Sequence, residues 1–162
     1  RRGERIETKA GERLILRFGT NILIALDERT ILEFHRLEHT NPVFRFPRGR
    51  IFVDNSASDV PVTIFTNQTE SLIAHQAITL VNYDFQQLVT IAPLGGSQGG
   101  ERFVEVRLKG ESLFQKIITP INVHETNPPF ITPTTMNLQD SVAATFYSWI
   151  NHWKESEQTS RK

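Results

Sequence analysis

The chain has 162 residues, 38% of them hydrophobic, which suits one domain with a real core and is too little for two full ones. Lysine plus arginine number 18 and aspartate plus glutamate number 18, so no net field draws in a nucleic acid or an anionic membrane surface. Cysteine is absent, which excludes disulfides, thiolate metal sites and a cysteine nucleophile, and no apolar run approaches the ~20 residues that span a bilayer as a helix.

From Leu14 the pattern has period two: Leu14, Leu16 and Phe18 share one face while Arg13 and Arg17 take the other, which predicts a half-buried strand. Ile22, Ile24 and Leu26 predict a second strand, Asp27-Glu28 a polar turn, and Ile31-Leu32-Glu33-Phe34 a third strand. Phe44 and Phe46 then alternate with Arg45. Pro47-Arg48-Gly49 punctuates the chain before Arg50-Ile51-Phe52-Val53, with Gly49 free to take a φ that other residues resist. After a Ser- and Asn-rich turn over 54–59, strands are predicted at 60–64, 71–75, 77–83 and 88–91, with Pro61 placing the first of them at an edge or at its own start. A strand roughly every 8 to 12 residues suits a sandwich, roll or solenoid and leaves no room for crossover helices.

The run Gly95-Gly96-Ser97-Gln98-Gly99-Gly100 predicts a flexible loop or hinge that divides the chain. A strand over 103–108 follows, then a second apolar stretch with Leu113, Phe114, Ile117, Ile118 and Ile121. The proline-rich run 127–133 is expected to cross the surface extended, without regular structure. Leu138, Val142, Phe146, Trp149, Ile150 and Trp153 recur at three- and four-residue spacing, and Asn137 with Asp140 forms a plausible cap, so a helix is predicted over 137–155. The expected organisation is a β-domain over 1–96, a β-extension with a proline-rich linker packed on it over 97–136, the helix, and a fraying polar tail over 156–162. The fold class is mainly β, an antiparallel β-roll or a twisted β-solenoid or sandwich, with one C-terminal amphipathic helix.

No constellation points to catalysis. His35 and His39 have i, i+4 spacing but fall where a strand runs into a turn, without the glutamate of a zinc-protease helix. The pairs Asp54/Asp59 and Asp27/Glu28 lie in predicted turns, where aspartate serves to bond its own backbone. Nucleophile-elbow, phosphate-loop and dinucleotide motifs are absent, and no metal or cofactor is expected. Two sets of residues are candidates for binding. Arg45, Arg48 and Arg50 alternate along one strand and offer a small anion-contact patch or simply a solvated face. Phe146, Trp149 and Trp153 form an aromatic stripe that either engages a protein or glycan partner or caps the open end of the β-core, the second being favoured.

Over about 11–96 the chain resembles the FecR-like domain of bacterial extracytoplasmic proteins. The resemblance is carried by Asp27-Glu28-Arg29-Thr30-Ile31-Leu32-Glu33 after a strand pair, by Phe46-Pro47-Arg48-Gly49-Arg50-Ile51-Phe52-Val53, and by the strand 60–66. It implies a twisted β-roll or β-solenoid outside the cytoplasm, in the periplasm or at the cell surface, commonly carried behind one membrane-spanning helix. Such a domain is non-catalytic and works in signal transfer or envelope binding, with a protein or envelope glycan as partner. The chain begins at Arg1 without a methionine, which suggests a segment upstream; were that a signal or an anchor, this would be the exported part of a longer protein, with contact to a membrane only through that segment. Two further readings stay open: a structural, self-assembling module, and a glycan-acting enzyme with a dispersed carboxylate site drawn from Asp54, Asp59 and Asp84. Oligomeric state is left undetermined.

Overall fold

A computed structural model describes residues 3–19, 21–36, 41–84, 87–94, 103–135 and 142–160. The predicted loop at 95–100, the cap pair Asn137 and Asp140, and His39 lie outside the described residues. The strands are β1 (Arg5–Glu7), β2 (Leu14–Phe18), β3 (Ile22–Leu26), β4 (Ile31–Arg36), β5 (Val43–Asp54), β6 (Val62–Phe65) and β7 (Thr69–Ile73). They continue with β8 (Ile78–Tyr83), β9 (Leu88–Leu94), β10 (Val104–Leu108), β11 (Gln115–Ile117), β12 (Ile121–His124) and β13 (Phe130–Pro133), and one helix follows, α1 (Val142–Ser160).

Strand β5 organises everything else. Up to Arg48 it pairs antiparallel with β4 and parallel with β6; from Gly49 onward it pairs antiparallel with β3 and β8. The Pro47-Arg48-Gly49 run was expected to separate two strands, and instead one strand runs through it, bends and changes neighbours. Pro47 lacks the N–H a regular ladder needs and falls in the register shift between Arg45↔Glu33 and Arg48↔Ile31, where a bulge accommodates it. Gly49 has φ 111°, and a Cβ there would lie 2.3 Å from Thr30 Oγ1 and 2.5 Å from Thr30 Cα. Only glycine lets the bend close on Thr30.

The bend folds one curled, mixed sheet into two wings. The first runs β11-β10-β7-β6-β5-β4-β1 and the second β13-β12-β9-β8-β5-β3-β2. Their facing sides bury Leu32, Phe44, Phe46, Ile51, Val53, Ile64, Ile73 and Ile91 in one apolar core. The mainly-β architecture with a single C-terminal helix that the strand rhythm predicts is the one observed.

Strands beyond residue 100 enter both wings: β10 pairs with β7, and β12 with β9. Two local expectations are corrected. Part of the proline-rich run forms β13, at the sheet margin beside β12, with Pro133 as its last residue. The helix continues through Ser160 instead of fraying after Glu155, because Glu155, Glu157 and Gln158 are good helix formers and Glu157 pairs with Arg17 on β2. Against the outer face of the second wing, Phe146 and Ile150 of α1 complete a second apolar cluster with Leu23, Ala25, Phe52, Leu80 and Ala92. Among the described residues no helix is long and apolar enough to cross a membrane.

Candidate binding site

The bend of β5 and the β3–β4 turn together build an electrostatic node. Asp27, only 5% exposed, directly follows β3. Its Oδ1 accepts hydrogen bonds from Arg13 Nε at 2.9 Å and from the Glu28 N–H at 2.8 Å, and its Oδ2 accepts one from Arg50 Nη1 at 2.8 Å. Thr30 Oγ1 accepts the Arg50 N–H at 3.1 Å, and the Thr30 N–H donates to Thr8 Oγ1 at 3.0 Å. The turn is therefore locked to β1, β2 and β5, and Arg29 is held within it at φ 56°. Over this node lies an open groove of about 870 Å³ lined by Arg13, Arg29, Arg48, Arg50, Tyr83 and Thr145, among others.

The three arginines predicted on one strand do not form one patch. Arg50 turns to Asp27; Arg48 stays exposed and reaches Glu7 Oε1 at 3.2 Å. Both line the groove. Arg45 lines a different cavity, of about 440 Å³, with Phe46, Pro47, Phe65 and Tyr83.

The aromatic stripe lies on the sheet. Phe146 is fully buried, so it has no surface to offer a partner, and Trp149 and Trp153 are half-buried. The Arg13 guanidinium lies 5.9 Å from the Trp149 ring centre and that of Arg17 lies 5.2 Å from Trp153. Lys154 Nζ sits 2.6 Å from Asp54 Oδ2 and 5.1 Å from the Phe52 ring. Burial alone would raise the Asp54 carboxyl, but the Lys154 ammonium and the bonds from Ser56 outweigh it and hold it below its ordinary value.

A second buried acid, Glu125, is 3% exposed and follows β12. Its Oε2 accepts from Thr66 Oγ1 at 2.8 Å, the Gln68 N–H at 2.6 Å and Thr69 Oγ1 at 2.7 Å. The carboxylate thus ties the β6–β7 turn of the first wing to the end of β12 in the second. Burial pushes the neighbouring Tyr83 phenol well above its usual range, and the Glu125 carboxylate pushes it the same way.

No protein-family model matches the chain, and no curated protein matches it. Two crystal structures of a "putative anti-sigma factor" from Parabacteroides distasonis share its fold, each with a TM-score of 0.62 over 82% of this chain, at 16% and 17% identity. This chain spans 60% of the length of each of those chains.

The remaining sequence candidates are dispersed. Asp54 belongs to the helix contact, exposed Asp59 to the turn before β6, and Asp84 to the groove wall, where its Oδ1 accepts the Leu88 N–H at 3.3 Å. His35 is exposed on β4, and His124 stacks on Phe130 at 4.4 Å and bonds Thr132. Among the described residues no three acidic or histidine side chains cluster closely enough to hold a metal ion. Arg13, Arg29 and Glu125 carry the polar architecture and were not among the predicted site residues. Arg13 had one visible signal, its place opposite the apolar face of β2; Glu125 had none, because its donors lie almost sixty residues away in sequence.

Proposed function

We propose that the chain is a FecR-like β-domain of the cell envelope that does no chemistry of its own and transfers a signal by binding a protein partner. The observation that carries this reading is the likeness in fold, over most of the chain, to a protein described as a "putative anti-sigma factor". The arrangement of polar groups is in keeping with it. Asp54 and Glu125 are each tied to groups of the protein itself, and the open groove is lined by arginines, which suit recognition of charged groups.

Two measurements test the proposal. In the full-length gene, alkaline phosphatase fused after Lys162 is expected to be active and a cytoplasmic fluorescent reporter at the same place dark; the opposite pattern overturns the envelope assignment. Deleting the gene is expected to change a set of transcripts served by one class of promoter. An unchanged transcriptome removes the signalling role.

A self-assembling module is the second reading, favoured by Leu113 and Ile118, which flank the marginal strand β11 at 77% and 66% exposure. Sedimentation at high concentration decides it, since a strict monomer excludes assembly through that margin.

A further inference from the structure

The groove at the β5 bend is built from more positive charge than its own carboxylates neutralise. Arg13 and Arg50 share the single Asp27 carboxylate, and Arg50 Nε is buried without an acceptor among the described residues. Arg29 projects from the turn, exposed, and its guanidinium has no hydrogen-bond or ion-pair partner among the described residues. Four arginines thus face three carboxylates on the wall, Asp27, Glu28 and Asp84; Glu28 Oε2 accepts the Gly11 N–H at 2.6 Å, and Asp84 accepts from Leu88. Arg48 is drawn to Glu7 only through an exposed pair at 3.2 Å, which water and salt screen. Thr145, in the first turn of α1, closes one side. The four arginines come from three separate parts of the chain: Arg13 just before β2, Arg29 in the β3–β4 turn, and Arg48 and Arg50 on β5.

We infer that this groove docks an acidic segment of a protein partner, whose carboxylate is received by Arg29 together with Arg13 and Arg50. The inference rests on the reading of the chain as a protein-binding domain. At about 870 Å³ the groove is far larger than one small oxyanion and matches a few residues of extended peptide. Guanidinium pairs suit the planar, two-oxygen acceptor that a carboxylate presents. The excess of charge is small and is bordered by Glu7 and Glu28, so a chain of closely spaced phosphates would meet repulsion where a peptide with isolated carboxylates would not.

The test is a titration of the whole 162-residue chain, followed through the backbone amides of Arg29, Arg48 and Asn82 by NMR. The probes are a blocked glycine-serine hexapeptide carrying two separated glutamates, its counterpart with glutamine in their place, and inorganic phosphate. The glutamate peptide is expected to move these amides, with affinity falling as salt rises, and the glutamine peptide to leave them unmoved. Arg29→Gln is expected to weaken binding by about tenfold without changing the unfolding midpoint, and Arg29→Lys to restore most of it. Phosphate binding as tightly as the glutamate peptide would make this a small-oxyanion pocket and overturn peptide docking. So would shifts confined to other residues, equal binding of the neutral peptide, no binding of any probe, or an undiminished affinity of Arg29→Gln. All of these measurements use the chain alone, so their failure leaves the envelope assignment standing, and a misplaced reporter fusion leaves the groove standing.

Discussion

The two wings have matching inner faces and opposite outer ones. On the first wing, β10 alternates strictly, with Val104, Val106 and Leu108 in the core while Glu105 and Arg107 face out, and Arg107 pairs with Glu70 on β7. On the second, β3 is buried along its whole length: Ile22, Ile24 and Leu26 join the inner core while Leu23 and Ala25 lie under α1. A strand that alternates has one face in water, and a strand apolar at every position has none. The helix is therefore part of the domain's core, and the node on which the groove is built sits where the helix-covered face ends.

The largest effect should come from removing the side chain that joins helix to sheet. Phe146→Ala empties a fully buried site and should cost about 4 kcal/mol in urea unfolding, with partial loss of helical circular dichroism before the β signal falls. If helix and sheet signals were lost together and by less than about 1 kcal/mol, the second wing would be no more dependent on its cover than the first. Gly49→Ala acts on the hinge between the wings. Its Cβ would lie 2.5 Å from the Thr30 backbone at φ 111°, so a loss of about 3 kcal/mol is expected, read from the same unfolding curve. Gly110→Ala is the control for positive φ alone, with nothing within 4 Å of its Cβ, and should cost less.

This contrast also explains what could be read from the residues. Period two located most strands, and the three- and four-residue spacing located the helix, because both patterns reflect burial of a single face. The cover on the second wing was equally legible in Ile22-Leu23-Ile24-Ala25-Leu26, where the lack of any polar residue means two buried faces; reading only the even positions as inward missed it. The passage of β5 through Pro47 was not legible, because proline and glycine signal the end of a strand and a bend within one in the same way. The lining of the groove was partly legible. Arg48 and Arg50 do line the groove, but Arg45 lines another cavity, and Arg13 and Arg29 arrive from the residue before β2 and from the β3–β4 turn. Long-range pairing decides such meetings, and periodicity carries no information about it.

A smaller effect is expected at the ion pair that seats the distal half of α1. Lys154→Met should cost about 1 kcal/mol near neutral pH, since the pair with Asp54 is only partly exposed and Lys154 also covers Phe52. The loss should depend on pH with a definite sign. The folded Asp54 carboxyl lies below its unfolded value of 3.8, so its contribution is fully present above that value and disappears as pH falls through the folded one. Wild type and Lys154→Met should accordingly converge in stability on acidification below about pH 4. A gap that stays constant into strong acid would show that lysine acts through packing on Phe52 and not through the carboxylate.

The smallest effect is expected on the bare wing. Arg107 pairs with Glu70 across β10 and β7 and lies 4.5 Å from the Phe114 ring centre, yet it has water on its other side. Arg107→Ala should therefore change unfolding free energy by no more than about 0.5 kcal/mol, and the change should shrink further at high salt. Comparing it with Phe146→Ala in one series sets an outward polar strand face against an outward face covered by helix. A loss above about 2 kcal/mol for Arg107→Ala, insensitive to salt, would mean that the Arg107–Phe114 contact packs like core. The first wing would then hold a second covered face, one whose cover is the β10–β11 hairpin itself, and the difference between the wings would lie in what covers each of them.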